Sequence, residues 1–386
     1  LHIITRLILG GAQENTLYTC EDLLSRHGDE VLLVSGPAEG PEGDLFERAE
    51  RRGVSVEILP DLCRAISPLA DRRSWNRLGE IIDRFRPDVV HTHSSKAGIL
   101  GRGVAWGRDV PAVVHTIHGL AFHPYERWWK NQMYVRAERW AARRCHRIVS
   151  VADAMTQQAL LAKIGRPEQY RTIYSGMEVE PFLASAGTRD ETRRRLGLDP
   201  DEIVVMKVAR LFELKGHDDV IEAALGLAPD GPRIRFVFVG GGLWRQRLEQ
   251  RVHDLGMAGR FIFTGLVSPG EIPALLGASD IVVHASYREG LARVLPQALL
   301  AARPVISYDV DGAREVVQPG RTGFLLAPHD IPAMARAIDL LAREPILRAR
   351  LGEAGREQCR EVFRHEVMTD QIRQVYGEVL AAAAVR

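Results

Sequence analysis

The segment Glu289-Gly290-Leu291-Ala292 places a carboxylate and small residues between an apolar strand (Ile281 to Ser286) and an apolar helix (Val294 to Ala302), with Gln297 eight positions after the glutamate. A strand end sets a carboxylate at the rim of a parallel sheet, and the amide hydrogens that start the next helix suit an anion. One segment can thus accept hydrogen bonds from hydroxyls and cradle a phosphate, the two groups a nucleotide-sugar carries. Arg210 ends another strand and Lys215 opens the helix after it, so two cations can converge on a phosphate at the same rim. Gly240 and Gly242 belong to a triple glycine that again links strand to helix and admits a ligand close to backbone. Phe263-Thr264-Gly265-Leu266 offers strand-end backbone groups to a flat base.

In the first half, Gly10-Gly11-Ala12-Gln13 follows a strand and precedes a helix expected from about Asn15. It reads equally well as a tight turn or as a ligand loop. A dinucleotide site would want G-x-G-x-x-G with an acidic residue about 20 positions on, and the spacing here disfavours NAD. His91 and His93 share one face of an extended segment, with His115, His118 and His123 around the next strand. No nearby Cys, Asp or Glu completes a zinc ligand set, so His118 is read as a hydrogen-bonding group at a strand end, with a structural histidine as the competing reading. Asp309 and Asp311 spell D-x-D, but aspartates after a strand commonly cap or turn, and the cations above can neutralise a diphosphate. No metal and no resident cofactor are expected. Trp128, Trp129, Lys130, Arg136, Arg139, Trp140, Arg143, Arg144 and Arg147 form one basic, aromatic stretch. It could lie on an anionic membrane, but core tryptophans with solvated arginines are the favoured reading.

Those residues need a scaffold. At 386 residues and 46% hydrophobic, the chain can bury a sizeable core in two domains. Its 51 basic and 50 acidic residues leave no global field to recruit nucleic acid or membrane. Four scattered cysteines (Cys20, Cys63, Cys145, Cys359) argue against a disulfide framework. No run reaches the roughly 20 apolar residues that span a bilayer, and no signal peptide is visible, so a cytoplasmic setting is expected. The chain opens directly on strand-like Leu1-His2-Ile3-Ile4, as if a few native residues, the initiator methionine included, were missing. Short apolar runs alternate with helix-length stretches throughout, the pattern of α/β doubly wound parallel sheets. Strands are expected at His2 to Ile8, Glu30 to Ser35, Ser55 to Leu59, Val89 to Thr92, Ala112 to Ile117 and Arg147 to Val151. A second series comprises Ile203 to Val208, Arg235 to Val239, Phe261 to Thr264, Ile281 to His284, Pro304 to Tyr308 and Gly323 to Leu326. A linker-like stretch near 183–200 divides them, giving domains 1–183 and 184–365, with ligands beyond the carboxyl ends of the strands.

Taken in order, Gly10-Gly11-Ala12-Gln13, the His91 to Gly98 segment with His93 and Lys96, His115 to Gly119, Tyr174 to Met177, Ala209 to Gly216, Val239 to Gly242, Glu289 to Ala292 and Pro304 to Ile306 resemble the retaining glycosyltransferases of family 4, also called group 1. The resemblance covers nearly the whole chain. It implies a GT-B fold, two Rossmann-like domains facing each other across a cleft, with the final helix (366–386) packing back on the first domain. It implies Arg210 and Lys215 on a donor diphosphate, Gly290, Leu291 and Ala292 amides on phosphate and sugar, and Glu289 on sugar hydroxyls. Backbone near Leu266 would hold the base, His118 would face the transferred sugar, and the Gly10, Gly11 and Ala12 loop would close over donor and acceptor. Where the family carries a second, ribose-binding glutamate, this chain has Gln297, which still offers an acceptor and adds two donors. The implied activity is transfer of a hexosyl unit, from a UDP-sugar, to a glycan or lipid-linked acceptor in cell-surface polysaccharide synthesis. A nucleotide-sugar epimerase, a phosphorylase, or a non-catalytic nucleotide-sugar-binding subunit are the alternatives.

Overall fold

In a computed structural model describing residues 1–38, 43–228 and 230–384, the chain divides into two compact units. One comprises residues 1–177 with the C-terminal stretch from 364, the other residues 178–363. Residues 385 and 386 of the expected final helix lie outside the described residues.

The first unit carries a parallel sheet of β1 (His2–Ile4), β2 (Leu32–Ser35), β3 (Ser55–Ile58), β4 (Val89–His93), β5 (Ala112–Ile117), β6 (Arg147–Ser150) and β7 (Tyr170–Thr172). Their order is β3-β2-β1-β4-β5-β6-β7. Adjacent residues of one strand enter different cores, as strand geometry demands. Ile4, Leu33 and Val114 pack with the helices Gly11–Ser25 and His365–Ala384, whereas Ile3, Val34 and Val113 pack with Pro68–Phe85 and Ser95–Trp106. Buried on both faces, the central strands are near-continuous apolar runs. β7 was not expected from sequence: Tyr-Arg-Thr is an edge strand with Arg171 exposed and shows no apolar run. β1 is shorter than expected because Thr5 leaves the ladder: its N–H donates to Ser94 Oγ at 3.2 Å and the two hydroxyls share a 2.7 Å hydrogen bond. The helix His365–Ala384 is fixed on this unit by His365 Nδ1 and Thr369 Oγ1 on Asp22 Oδ2, at 2.8 and 2.9 Å, and by Tyr376 OH on His91 Nδ1 at 2.5 Å.

The second unit repeats the plan with β8 (Ile203–Val208), β9 (Ile234–Val239), β10 (Phe261–Gly265), β11 (Ile281–His284), β12 (Val305–Tyr308) and β13 (Gly323–Leu326), ordered β10-β9-β8-β11-β12-β13. The short helix Glu180–Leu183 packs in this unit, against Ile272–Ala278 and Val294–Leu300. In both sheets strand order reverses once, between β1 and β4 and between β8 and β11. Loops diverge there to opposite faces and leave a crevice at the carboxyl ends.

Arg102, wholly buried, donates through Nη2 to Glu138 Oε2 at 2.7 Å and through Nε to Gly98 O at 2.7 Å, joining Ser95–Trp106 to Trp128–Ala142. Removing one partner strands a buried charge. Glu138→Ala is expected to cost roughly 3–5 kcal/mol of first-unit stability, read from urea unfolding.

Candidate functional site

The β8/β11 switch point gathers several candidate residues of the second unit. Lys215 and Glu289 form a close ion pair through Nζ and Oε1, although 74 positions separate them. The pair is held from both sides. Leu214, before Lys215, adopts a left-handed φ of 63° and its carbonyl accepts from Tyr287 N–H at 2.9 Å. Gly216 follows at φ 63°, where a Cβ would stand 1.9 Å from the Ala285 carbonyl oxygen, so only glycine lets this turn approach β11. On the other side Glu289 N–H donates to Asp311 Oδ2 at 2.6 Å. Both aspartates of the D-x-D spelling thus have protein partners, since Asp309 pairs with Arg314.

Burial opposes the charge on Glu289, but the Lys215 ammonium outweighs it and holds this carboxyl well below the usual range. His284 Nε2 lies 3.6 Å from Glu289 Oε1, while its Nδ1 meets Ser307 Oγ at 3.0 Å. Burial, aided by Lys207 and Lys215, keeps His284 neutral against the pull of Glu289. Arg210 is exposed at the same strand end, its guanidinium 5.4 Å from the Phe212 ring centroid. The Gly240–Gly242 loop lies against it: Leu211 N–H donates to Gly241 O at 2.8 Å and Gly240 N–H to Gly265 O at 3.0 Å. A Cβ on Gly242 would sit 2.4 Å from Leu211 O. Leu266, next to Gly265, is 62% exposed. Leu291 and Ala292 are buried, and the expected helix runs Val294–Leu300 with Gln297 one turn in. It ends two residues early, because Ala302 turns left-handed at φ 53°.

In the first unit, Gly10 is the N-cap of the helix Gly11–Ser25, so the glycines form its first turn and the helix starts four residues before the expected Asn15. His118, half-buried, meets His93 Nδ1 through Nε2 at 3.1 Å, and His93 Nε2 meets His2 Nδ1 at 3.2 Å. His91 Nε2 meets Thr116 Oγ1 at 2.7 Å. His2 is the member sequence reading missed: it joins the cluster because β1 pairs with β4, His2 opposite His91. Among the described residues, His2, His91 and His93 are the group whose ligand atoms lie close enough to hold a metal ion. Both ring nitrogens of His91 and of His93 already have hydrogen-bond partners, which fits a satisfied core network better than a ligand set. Lys96 is committed to Asp71 at 2.5 Å and to the Ala65 carbonyl.

The family model for Glycosyl transferases group 1 matches residues 188–358, and that for the Glycosyl transferase 4-like domain matches residues 10–176. The alpha-D-kanosaminyltransferase of Streptomyces kanamyceticus is 30% identical over 70% of this chain and 71% of its own. This chain belongs to the group 1 glycosyltransferases. An Escherichia coli relative, UDP-Gal:alpha-D-GlcNAc-diphosphoundecaprenol alpha-1,3-galactosyltransferase, is 28% identical over 98% of this chain and 96% of its own. The crystal structure of Anabaena HepE in complex with UDP-glucose superposes with a TM-score of 0.82 at 22% identity, covering 98% of this chain and 99% of that one. The glycosyltransferase has the GT-B fold.

The basic, aromatic stretch corrects the favoured sequence reading. Trp128 and Trp129, at the start of the helix Trp128–Ala142, are 76% and 54% exposed rather than in the core. Trp140 is the half-buried one, 6.5 Å from Trp75 by ring centroids. Arg139, Arg143 and Arg147 line a cavity of about 990 Å³ with Lys163 and Arg166, against only Asp109 and Glu168. This cavity opens by the amino ends of β5 and β6, away from the carboxyl edge that bears His118. Among the described residues no helix is long and apolar enough to cross a membrane, and no disulfide joins the cysteines.

His2, His91, His93 and His115 are all held well below 6.5, by burial first, then for His2, His91 and His93 by the mutual repulsion their rings would feel if protonated, and for His115 by Arg102. Their folded values lie below the unfolded one, so they contribute stability that is present above pH 6.5 and lost as pH falls below it. First-unit stability should therefore drop below pH 6.5, by up to about 1.4 kcal/mol per pH unit for each histidine. His91→Gln should shallow that slope by one histidine's share, as thermal unfolding between pH 5 and 8 would read.

Proposed function

We propose that this glycosyltransferase moves a hexosyl unit, with retention, from a UDP-sugar to a hydroxyl of a glycan or lipid-linked glycan in cell-surface polysaccharide synthesis. The observation carrying this reading is the Lys215–Glu289 pair beside exposed Arg210 at the β8/β11 switch point. Arg210 and Lys215 bind the diphosphate and supply its countercharge. The amides of Gly290, Leu291 and Ala292 donate to phosphate and sugar. Glu289, ionised throughout the neutral range, accepts from sugar hydroxyls. Backbone of the Gly240–Gly242 loop and of Leu266 receives the nucleoside, and Gln297 the ribose. The second unit is the donor domain and the first the acceptor side. There His118 faces the transferred sugar, supported by His93, and the Gly10, Gly11 and Ala12 turn meets the acceptor, with Lys96 bracing the neighbouring helix through Asp71.

No enzymic nucleophile is assigned. Double displacement would need a carboxylate at the anomeric carbon, whereas here the leaving diphosphate assists the incoming hydroxyl on the same face. The protein then works electrostatically, because charge developing on the departing phosphate meets Arg210 and Lys215. Support comes from HepE, which holds UDP-glucose, and from the E. coli relative, whose name gives a diphosphoundecaprenol-linked acceptor.

Arg210→Ala and Lys215→Ala should each lower kcat by about 10²- to 10³-fold, with UDP released only when acceptor is present and the product anomer matching the donor by NMR. Acceptor-independent UDP chemistry would favour an epimerase or phosphorylase. For a lipid-linked acceptor, exposed Trp128 and Trp129 with Arg143 are assigned to an anionic membrane surface. Co-sedimentation with phosphatidylglycerol vesicles should exceed that with phosphatidylcholine, weaken with salt, and fall in a Trp128→Ala/Trp129→Ala double variant.

A further inference from the structure

We propose that Lys207 is a positioning residue of the donor site, one that takes up a proton when a nucleoside diphosphate sugar binds and so completes its ammonium behind the Lys215–Glu289 pair in the loaded enzyme. This rests on the donor reading above. Lys207 stands on β8, 1% exposed, and its Nζ has no hydrogen-bond partner. Its register partner on β9 is Phe238, which meets His217 edge-on at 5.2 Å between ring centroids. His217 is wholly buried, and neither of its ring nitrogens has a partner. The two form a polar island in a core otherwise built of residues such as Val205, Phe236 and Val283.

Charged and titratable groups meet Lys207 from three directions. Asp219 and His217 come from the helix His217–Leu225, Lys215 from the turn before it, and His284 and Glu289 from β11 and the loop after it. Asp219 is already engaged by the hydroxyls of Tyr287 and Tyr308, at 2.8 and 2.5 Å. Lys215 is engaged by Glu289. A buried ammonium without a hydrogen bond is costly. Burial, and next the Lys215 charge, bring Lys207 down to about 7 against the pull of Glu289 and Asp219. The amine is therefore close to balance between its two forms. A diphosphate adds two negative charges where Lys215 and Arg210 bind it, and nearby opposite charge raises an amine's pKa by about 1–3 units. The proton comes from solvent, and the ammonium it creates adds to the field that receives the leaving group.

The test is calorimetric titration of the full chain with UDP-glucose from pH 6 to 9, in buffers of different ionisation enthalpy. UDP-glucose is the probe because its diphosphate is esterified at both ends and lacks the ionisation near 6 of a terminal phosphate. Uptake of about 0.8 proton per ligand is expected at pH 8, falling towards zero at pH 6. Lys207→Met should bind UDP-glucose without that uptake, and with an affinity flatter in pH. An undiminished uptake in Lys207→Met overturns the proposal. A second arm needs no ligand. The folded value of Lys207, about 7, lies below its unfolded value of 10.5, so the unfolded chain holds the extra proton between them and stability rises with pH across that window. Lys207→Met should lack this rise, and identical profiles for the two proteins also overturn the proposal. Failure of UDP-, GDP- and ADP-glucose alike to bind the parent chain would overturn the donor reading, and the coupling with it. The stability arm would still report the charge of Lys207 itself.

Discussion

Parallel pairing of β8 with β11 is the constraint on which the candidate site depends. Neither the turn after β8 nor the loop after β11 has a reason of its own to sit where it does. Once the two strands are neighbours, the chain leaves them at the same sheet edge, and Lys215 meets Glu289 across 74 residues of sequence. Backbone then locks the arrangement. The Gly216 turn passes too close to Ala285 O for any side chain, and Asp311, from the loop after β12, takes up the Glu289 amide. Three consecutive loops of one sheet edge are joined before any ligand arrives, so the carboxylate and ammonium need little further ordering.

Burial acts on the two units in different ways. In the first, four histidines are kept neutral in the core: His2 bonds His93, which bonds His118, while His91 bonds Thr116 and Tyr376 and His115 bonds Thr92. In the second, Glu289 stays charged because Lys215 answers it at contact distance, while Lys207, at the same end of β8 but without a hydrogen-bond partner, is driven towards its neutral form. Partner and depth act together: Glu289 is half-buried and paired, whereas Lys207 is fully buried and has no hydrogen-bond partner.

Much of the plan was legible in the chain. Apolar runs such as Ile281 to His284 and Ala112 to Ile117 coincide with strands, because a central strand of a parallel sheet is covered on both faces and has no polar side to show. The edge strand β7 shows no such signal, because Tyr170–Thr172 is three residues long, none of them buried. Gly10 and Gly11 were placed before a helix when they begin it, since glycine is a poor helix former and only the backbone reveals a first turn. Core tryptophans are the favoured reading of the sequence over a membrane surface, yet the helix that bears Trp128 and Trp129 turns that end to solvent. Lys207 did leave a signal, a single lysine inside Ile-Val-Val-Met-Lys-Val, where a buried strand has no place for a charge.

The sequence by itself determined the alternation of strands and helices, the family, and the residue types able to meet a diphosphate and a sugar. Those are local properties, written in periodicity and short motifs. Only the tertiary structure decided which residues met: Lys215 with Glu289, His2 with His91 and His93, Asp311 with the Glu289 amide, and Lys207 with no hydrogen-bond partner. Each of these depends on which strands lie side by side. Strand order is settled by packing the whole sheet between its helices, so no short stretch of chain encodes it.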